Sequence, residues 1–439
     1  MMAASYRSLW ALTTLAILPS ACAHRAPSTP GVMDVDWDVR EFYRPPSPLP
    51  NEAPGFVLGH ETLTGLAALE GTKLNERVLY LSNSGGPGEA PIAVSGIIAV
   101  PEGDAPTEGW PVVTWAHGTL GIADKCAPSR DELGASAHWY NQAPHRLLNQ
   151  FLKQGWAVVM SDYEGLGTPG RHPYLLGNSQ AYGVLDIVRA AHALHGGKLS
   201  KKFAIVGHSQ GGQAALFAAA RAPGRLKDDG LELVGVVAYA PASAMEALFY
   251  AGTAQTTTSP NAAFMPLFLT GAIAGNPSEL TPENILQTGA QQLYANVDTQ
   301  CRTELSETGS WGGFVPAGKV LKLNAPLAKL NAQLRAMEPG VLTLTTPVRL
   351  VQGGQDERVN PAQTALVSAG LISRGAQVEY VGCPVADHFG VLGDDIPGTL
   401  AWLKQRFTGE APSEPVRSSC QRIDPPPGTP QSVPASQAR

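Results

Sequence analysis

Short apolar runs alternate with helix-like stripes along most of the chain. Runs at 77–82 (RVLYLS), 91–100 (PIAVSGIIAV), 111–117 (PVVTWAH), 157–162 (AVVMSD), 202–207 (KFAIVG), 233–240 (LVGVVAYA), 347–353 (PVRLVQG) and 376–382 (AQVEYVG) predict strands. Several are almost continuously apolar, the pattern of strands covered on both faces. Between them lie stretches with a helical period. One spans 145–153 and stops before Gly155; another, 183–195, sets Val184, Ile187, Val188, Ala191 and Leu194 on one stripe; a third covers 399–407. Strands and helices in alternation predict an α/β fold with a mostly parallel sheet flanked by helices.

The rhythm breaks between 243 and 341, where helical signals stand without a strand pattern. Thr281-Pro282-Glu283 reads as a helix start, and Leu327, Leu330, Leu334 and Met337 share one helical face ahead of Pro339-Gly340. An insertion of this size predicts a helical cap, with 56–242 and 342–408 as the core domain. Residues 24–55, with RPPSPLP at 44–50, predict an extended N-terminal arm, and 409–439 a C-terminal tail too Pro-rich to pack. Both ends are expected to be peripheral.

At the start of the chain, Arg7 precedes an apolar run, Leu9 to Leu18, far short of the ~20 residues that span a bilayer. Residues 1–23 therefore predict a secretory signal. Release after Ala23 is the preferred reading, because Pro19 stands where a lipoprotein signal carries Leu; the alternative is a lipid anchor on Cys22. A secreted or periplasmic location follows, with no transmembrane segment expected. Cys126, Cys301, Cys383 and Cys420 remain, and an oxidising compartment permits two disulfides in any of three connectivities. No two cysteines have C-x-x-C spacing, so no metal site is expected. In 439 residues, 31 basic against 37 acidic side chains leave a net charge of −6, which argues against a nucleic-acid partner.

Gly207-His208-Ser209-Gln210-Gly211 matches G-x-S-x-G, the turn that exposes a serine between strand and helix. It directly follows the apolar strand 203–206 and precedes the Ala-rich run 213–222, and that context gives the short motif its weight. A serine needs a base to remove its proton, and the only histidine after the elbow is His388, in the loop after the last strand. Asp356, in GGQDERVN after the strand at 347–353, is expected to hold the imidazole, with Glu357 and Asp387 as rivals. Asp387 adjoins His388 and is poorly placed to reach round to the ring. The oxyanion hole requires two amides: that of Gln210, after the nucleophile, and one from the HGT turn at 117–119, Thr119 first and Gly118 in reserve.

Taken together, HGTLGIADKCAPS at 117–129, SDYEGLGTPGRHPYLLG at 161–177, GHSQGGQAALFAA at 207–219 and the acid and histidine loops resemble the secretory lipases typified by fungal lipase A and their bacterial relatives. The resemblance covers about residues 60–410. It implies an α/β-hydrolase with a helical cap that hydrolyses esters and triacylglycerols, with Ser209, Asp356 and His388 as the triad and two family bridges, paired Cys126–Cys301 and Cys383–Cys420. In fungal members an acidic residue stands in the oxyanion loop, where this chain has HGT.

The expected function is thus a secreted carboxylic ester hydrolase, a lipase or esterase, acting on a lipid or small ester, with a lipid–water interface as a further partner and no cofactor. The apolar stretch 263–275 (AFMPLFLTGAIAG) is expected to bind the acyl chain through Phe264, Leu267, Phe268 and Ile273. An acyltransferase would use the same triad. From another class, a non-catalytic binding protein on a hydrolase scaffold would have lost a triad member, and all the candidates are present.

Overall fold

The computed structural model describes residues 41–411, 413 and 416–429. The expected signal at 1–23, Cys22, the first part of the N-terminal arm and the last ten residues of the tail lie outside them.

Ten strands form a single sheet in the order β1-β2-β3-β5-β4-β6-β7-β8-β9-β10: β1 Val57–Thr62, β2 Thr72–Asn83, β3 Pro91–Pro101, β4 Trp110–Ala116, β5 Ala157–Ser161, β6 Leu199–His208, β7 Glu232–Tyr239, β8 Val348–Gly353, β9 Val378–Cys383 and β10 Gln421–Ile423. The central run from β5 to β9 is parallel, and β1, β2, β3 and β10 add antiparallel edges. Every strand expected from the apolar runs is present. Side-chain alternation sorts each strand into two layers: on β6, Phe203 and Ile205 face the helices Gly177–His195 and Gln210–Arg225, whereas Ala204 and Val206 face His145–Lys153 and Ile396–Thr408. This is a large mixed sheet covered by helices on both faces, the α/β arrangement that the pattern predicts.

Two strands were not legible in the pattern, and both ends pack where peripheral segments were expected. Phe42 and Tyr43 are buried against β1 and β2, in a cluster with Leu58, Leu79 and Leu81. In the tail, β10 pairs with β9 from Gln421–Gly382 to Ile423–Tyr380, Ser368 donates to the Pro427 carbonyl at 2.9 Å, and Gly428 lies where any Cβ would stand 2.2 Å from Ala369 Cα. All three β10 residues are exposed, so no apolar run marks the strand. The Cys383–Cys420 disulfide ties the chain to β9 at the residue just before the strand.

The helix expected at 183–195 begins six residues earlier, at Gly177. Its first turns carry Ser179 and Gln180, buried but polar, and so leave no apolar stripe. Gly177 allows the close approach of the next helix, since a Cβ there would stand 2.1 Å from the Phe217 ring.

Among the described residues, 243–341 contain no strand beyond isolated bridges at Cys301 and at Leu286–Leu321. Helices Met245–Thr253, Phe264–Gly275 and Leu327–Ala336 pack with shorter turns around Phe249, Leu267, Trp311, Leu330 and Leu334. Thr281 caps the helix Pro282–Ile285 in a reciprocal capping box with Asn284. No helix among the described residues is long and apolar enough to cross a membrane.

Candidate active site

Ser209 sits between β6 and the helix Gln210–Arg225 with φ 59° and ψ −116°, a left-handed conformation that a side chain rarely adopts. The turn is held on both sides. The Ser209 amide donates to the Tyr239 carbonyl at 2.9 Å, and its own carbonyl accepts from Ala242 at 3.0 Å and Gln213 at 3.1 Å. The flanking glycines are required by close approach: a Cβ on Gly207 would stand 2.0 Å from the Gly211 carbonyl oxygen, and one on Gly211 would stand 1.8 Å from the Ala116 oxygen. The strand–turn–helix context expected of the motif is therefore present, and the Gln210 amide lies at the N-terminal, electropositive end of the helix.

His388 and Asp356 meet across two loops, with His388 Nδ1 2.8 Å from Asp356 Oδ2. The other Asp356 oxygen accepts from the amides of Arg358 (2.8 Å) and Val359 (2.9 Å), and Gln352 Nε2 lies 3.3 Å from Oδ2. Burial works to raise the Asp356 pKa, but the hydrogen bond and charge of His388, together with the two amides, outweigh it and hold the carboxyl below the ordinary carboxylate range. A carboxylate here stays ionised and fixes the imidazole with its proton on Nδ1. The rival acids are otherwise engaged or placed. Asp387 accepts from the amides of Phe389 (3.1 Å) and Gly390 (2.7 Å) at the start of the next helix, and Glu357 is exposed at the rim of the cavity.

Ser209, His388 and Thr119 line one cavity of about 190 Å³ with Tyr140, Tyr174, Leu248, Phe264 and Phe268. Of the residues expected to bind an acyl chain, the structure brings Phe264 and Phe268 to this cavity. Leu267 instead lies fully buried in the core of the helical segment, and Ile273 packs against that core, because successive residues of one helix face different ways. Thr119 is positioned by a 2.7 Å hydrogen bond between its hydroxyl and that of Tyr174. Gly118 does not line this cavity and packs against the Tyr140 hydroxyl, which lies 1.6 Å from where a Cβ on Gly118 would stand.

Several polar side chains at the site make contacts that no motif indicates. The Gln210 side chain reaches Gln180 Oε1 at 2.7 Å and His172 Nε2 at 3.0 Å, and Gln213 donates to the carbonyls of Leu175 and Met337, both at 2.9 Å. His208 joins the histidine loop, with Nε2 2.7 Å from the His388 carbonyl oxygen. Their partners are 30 to 180 residues away in sequence, beyond any motif.

The disulfides Cys126–Cys301 and Cys383–Cys420 are both present, with Cα separations of 5.6 and 4.1 Å. The first ties the loop after β4 to the helical segment, where the Arg302 amide also donates to the Leu120 carbonyl at 2.8 Å. Among the described residues no group of three or more His, Cys, Asp or Glu is placed to hold a metal ion.

The fold is that of an α/β-hydrolase. Candida antarctica lipase A in its closed state superposes with a TM-score of 0.70 at 20% identity, covering 90% of this chain and 89% of the other. A mutant of the rice cell wall degrading esterase LipA from Xanthomonas oryzae superposes with a TM-score of 0.63 at 19% identity, over 81% of this chain and all of that one. The model of the secretory lipase family matches residues 135–414, and the chain belongs to that family. A curated relative from Mycobacterium tuberculosis, named "Probable inactive lipase MT1628", is 25% identical over 388 residues, 84% of this chain and 82% of its own length.

Proposed function

We propose that the protein is an exported carboxylic ester hydrolase that works through an acyl-enzyme on Ser209. The observation that carries this reading is the hydrogen bond between His388 Nδ1 and Asp356, made by a histidine that shares its cavity with the elbow serine. Ser209 Oγ attacks the ester carbonyl while its proton passes to His388 Nε2, the nitrogen left bare when Nδ1–H is committed to Asp356. The amides of Gln210 and Thr119 hold the oxyanion. Collapse of the intermediate expels the alcohol, which takes the proton from His388 Nε2. Water then repeats the sequence, leaving the free acid and Ser209 restored.

The apolar wall of Phe264, Phe268 and Leu248 favours an aliphatic acyl group, so a lipid-like ester is the substrate class. The segment 243–341 acts as a cap over it, and the leader at 1–23 directs export.

The test is hydrolysis of p-nitrophenyl esters from acetate to palmitate by wild type and Ser209→Ala. Wild type should turn over at least part of the series, and the variant should lose a factor on the order of 10⁴ to 10⁶ while remaining folded. A variant retaining a tenth of wild-type activity, or a fluorophosphonate probe attached to another serine, would remove Ser209 from the mechanism. Wild type inert on the whole series would favour the non-catalytic reading that the name of the mycobacterial relative raises.

A further inference from the structure

The histidine inside the elbow has no step in the acyl-enzyme route, yet it is hydrogen-bonded to the residue that acts as base. His208 ends β6, one position before Ser209, and is fully buried. It does not line the cavity that Ser209 and His388 share. Its Nε2 lies 2.7 Å from the backbone carbonyl oxygen of His388, 180 residues further on, and its Nδ1 lies 3.1 Å from the Tyr140 hydroxyl. The two imidazoles are neighbours, with ring centroids 4.5 Å apart at an angle of 47°.

These partners fix the proton. A carbonyl oxygen can only accept, so Nε2 is the protonated nitrogen. Burial first, and the nearby His388 second, hold the His208 pKa well below its usual value, so the ring is neutral and Nδ1 is bare. The Tyr140 phenol, whose pKa burial pushes up, keeps its proton and donates it to Nδ1. Both ring nitrogens are then used, and a neutral ring sets no charge against the imidazolium that forms at His388 during turnover.

His388 needs such a support. It stands in the loop between β9 and the helix Gly390–Asp394. Its bond to Asp356 sets how the imidazole is turned, but the height of that ring above Ser209 follows the backbone that carries it. On one side this backbone is tied to the acid loop, where the Gln355 amide donates to the Ala386 carbonyl at 2.9 Å. At residue 388 itself the tie is the His208 ring. That ring grows from a strand whose next residue, Ser209, is pinned by its amide to the Tyr239 carbonyl at 2.9 Å. Nucleophile and base are thereby referred to one rigid piece of chain.

We propose that His208 is a positioning residue, its Nε2–H holding the His388 carbonyl so that the base keeps its distance from Ser209. This rests on the reading of Ser209 and His388 as nucleophile and base. Because His208 touches no substrate, its loss displaces the base and slows the reaction while leaving substrate affinity alone. A ring that served only the core would move stability and not this split.

His208→Phe keeps a ring in place and removes the donor. On the best p-nitrophenyl ester kcat should fall roughly ten- to a hundredfold with KM within about twofold, and fluorophosphonate attachment at Ser209 should slow to the same extent. His208→Gln sets an amide N–H about where Nε2–H stands and should recover most of the rate, whereas the shorter His208→Asn should not. A kcat for His208→Phe equal to that of wild type, or a rescue by Asn as complete as by Gln, would overturn the proposal. A measurement on wild type needs neither turnover nor a variant: ¹⁵N NMR of histidine-labelled protein should show His208 protonated at Nε2 and bare at Nδ1. A bare Nε2 would leave nothing to hold the His388 carbonyl and end the proposal. Wild type inert on every ester would end the enzymatic reading and this proposal with it, while an active wild type matched by His208→Phe would end the proposal alone.

Discussion

His388 Nδ1 lies 2.8 Å from Asp356 Oδ2, although 32 residues and the strand β9 separate the two in sequence. The acid loop is in turn fixed by its own amides, since Asp356 Oδ1 accepts from both Arg358 and Val359. The imidazole is thus oriented by an anion that cannot itself swing away.

Asp356→Asn keeps the shape and removes the charge. An amide presents a donor as readily as an acceptor, so the ring is free to take the tautomer with Nε2 protonated. A loss of kcat on the order of 10³- to 10⁴-fold is expected, with a thermal midpoint close to that of wild type, measured on the best p-nitrophenyl ester. A loss below tenfold would return the acid role to Glu357.

Adjacent residues of one helix should behave differently. Phe268 lines the cavity and Leu267 is core. Phe268→Ala should lower kcat/KM for palmitate by about tenfold or more, as about 1.5 to 3 kcal/mol of apolar contact is lost, and leave acetate nearly unchanged. Leu267→Ala should lower stability by about 2 to 5 kcal/mol and leave the palmitate-to-acetate ratio where it was. Denaturant melts paired with the two rates separate these outcomes, and a ratio changed only by Leu267→Ala would reverse the assignment.

The C-terminal strand carries a covalent tie. The Cys383–Cys420 loop spans 37 residues, for which chain entropy gives an upper estimate of about 4 kcal/mol. Cys420→Ser should lower the melting temperature and speed amide exchange along β9 and over 420–429. Exchange unchanged at Val381, which faces Arg422 in the pairing, would mean that packing alone holds the tail.

Glu76 on β2 lies between two histidines, with Oε1 3.0 Å from His60 Nδ1 and Oε2 2.5 Å from His195 Nε2. Burial works to raise its pKa, but hydrogen bonds and charge from His195 and His60 outweigh it and hold the carboxyl at about 2, against an ordinary 4.5. A carboxyl depressed in the folded state stabilises the protein above its unfolded pKa and loses that contribution as pH falls through the folded value. Glu76→Gln should therefore be less stable than wild type by about 1 to 2 kcal/mol at pH 5 to 6, allowing for solvent screening. The gap should close toward pH 2, and a gap that widens on acidification would contradict the assignment.

The core of this architecture was legible because its strands are covered on both faces, and complete burial writes itself as apolar runs that no partner has to explain. The elbow was legible because its glycines stand at fixed offsets about Ser209: Gly207 answers to the Gly211 carbonyl within the same turn and Gly211 to Ala116 on the neighbouring strand, so each position admits glycine and the constraint appears as a motif. His388 was legible by elimination, as the sole histidine beyond the elbow. What tertiary structure decided is wherever partners are distant. β10 is tied by a disulfide and paired with a neighbouring strand, with no burial of its own to mark it. Leu267 and Phe268 look alike as letters and are separated only by the direction each side chain takes from the helix. Tyr140 leaves one trace in the sequence, the glycine at 118. Which hydroxyl fills the space beside that glycine is set by packing across 22 residues of chain, and its hydrogen-bond partner is a histidine 68 residues further on.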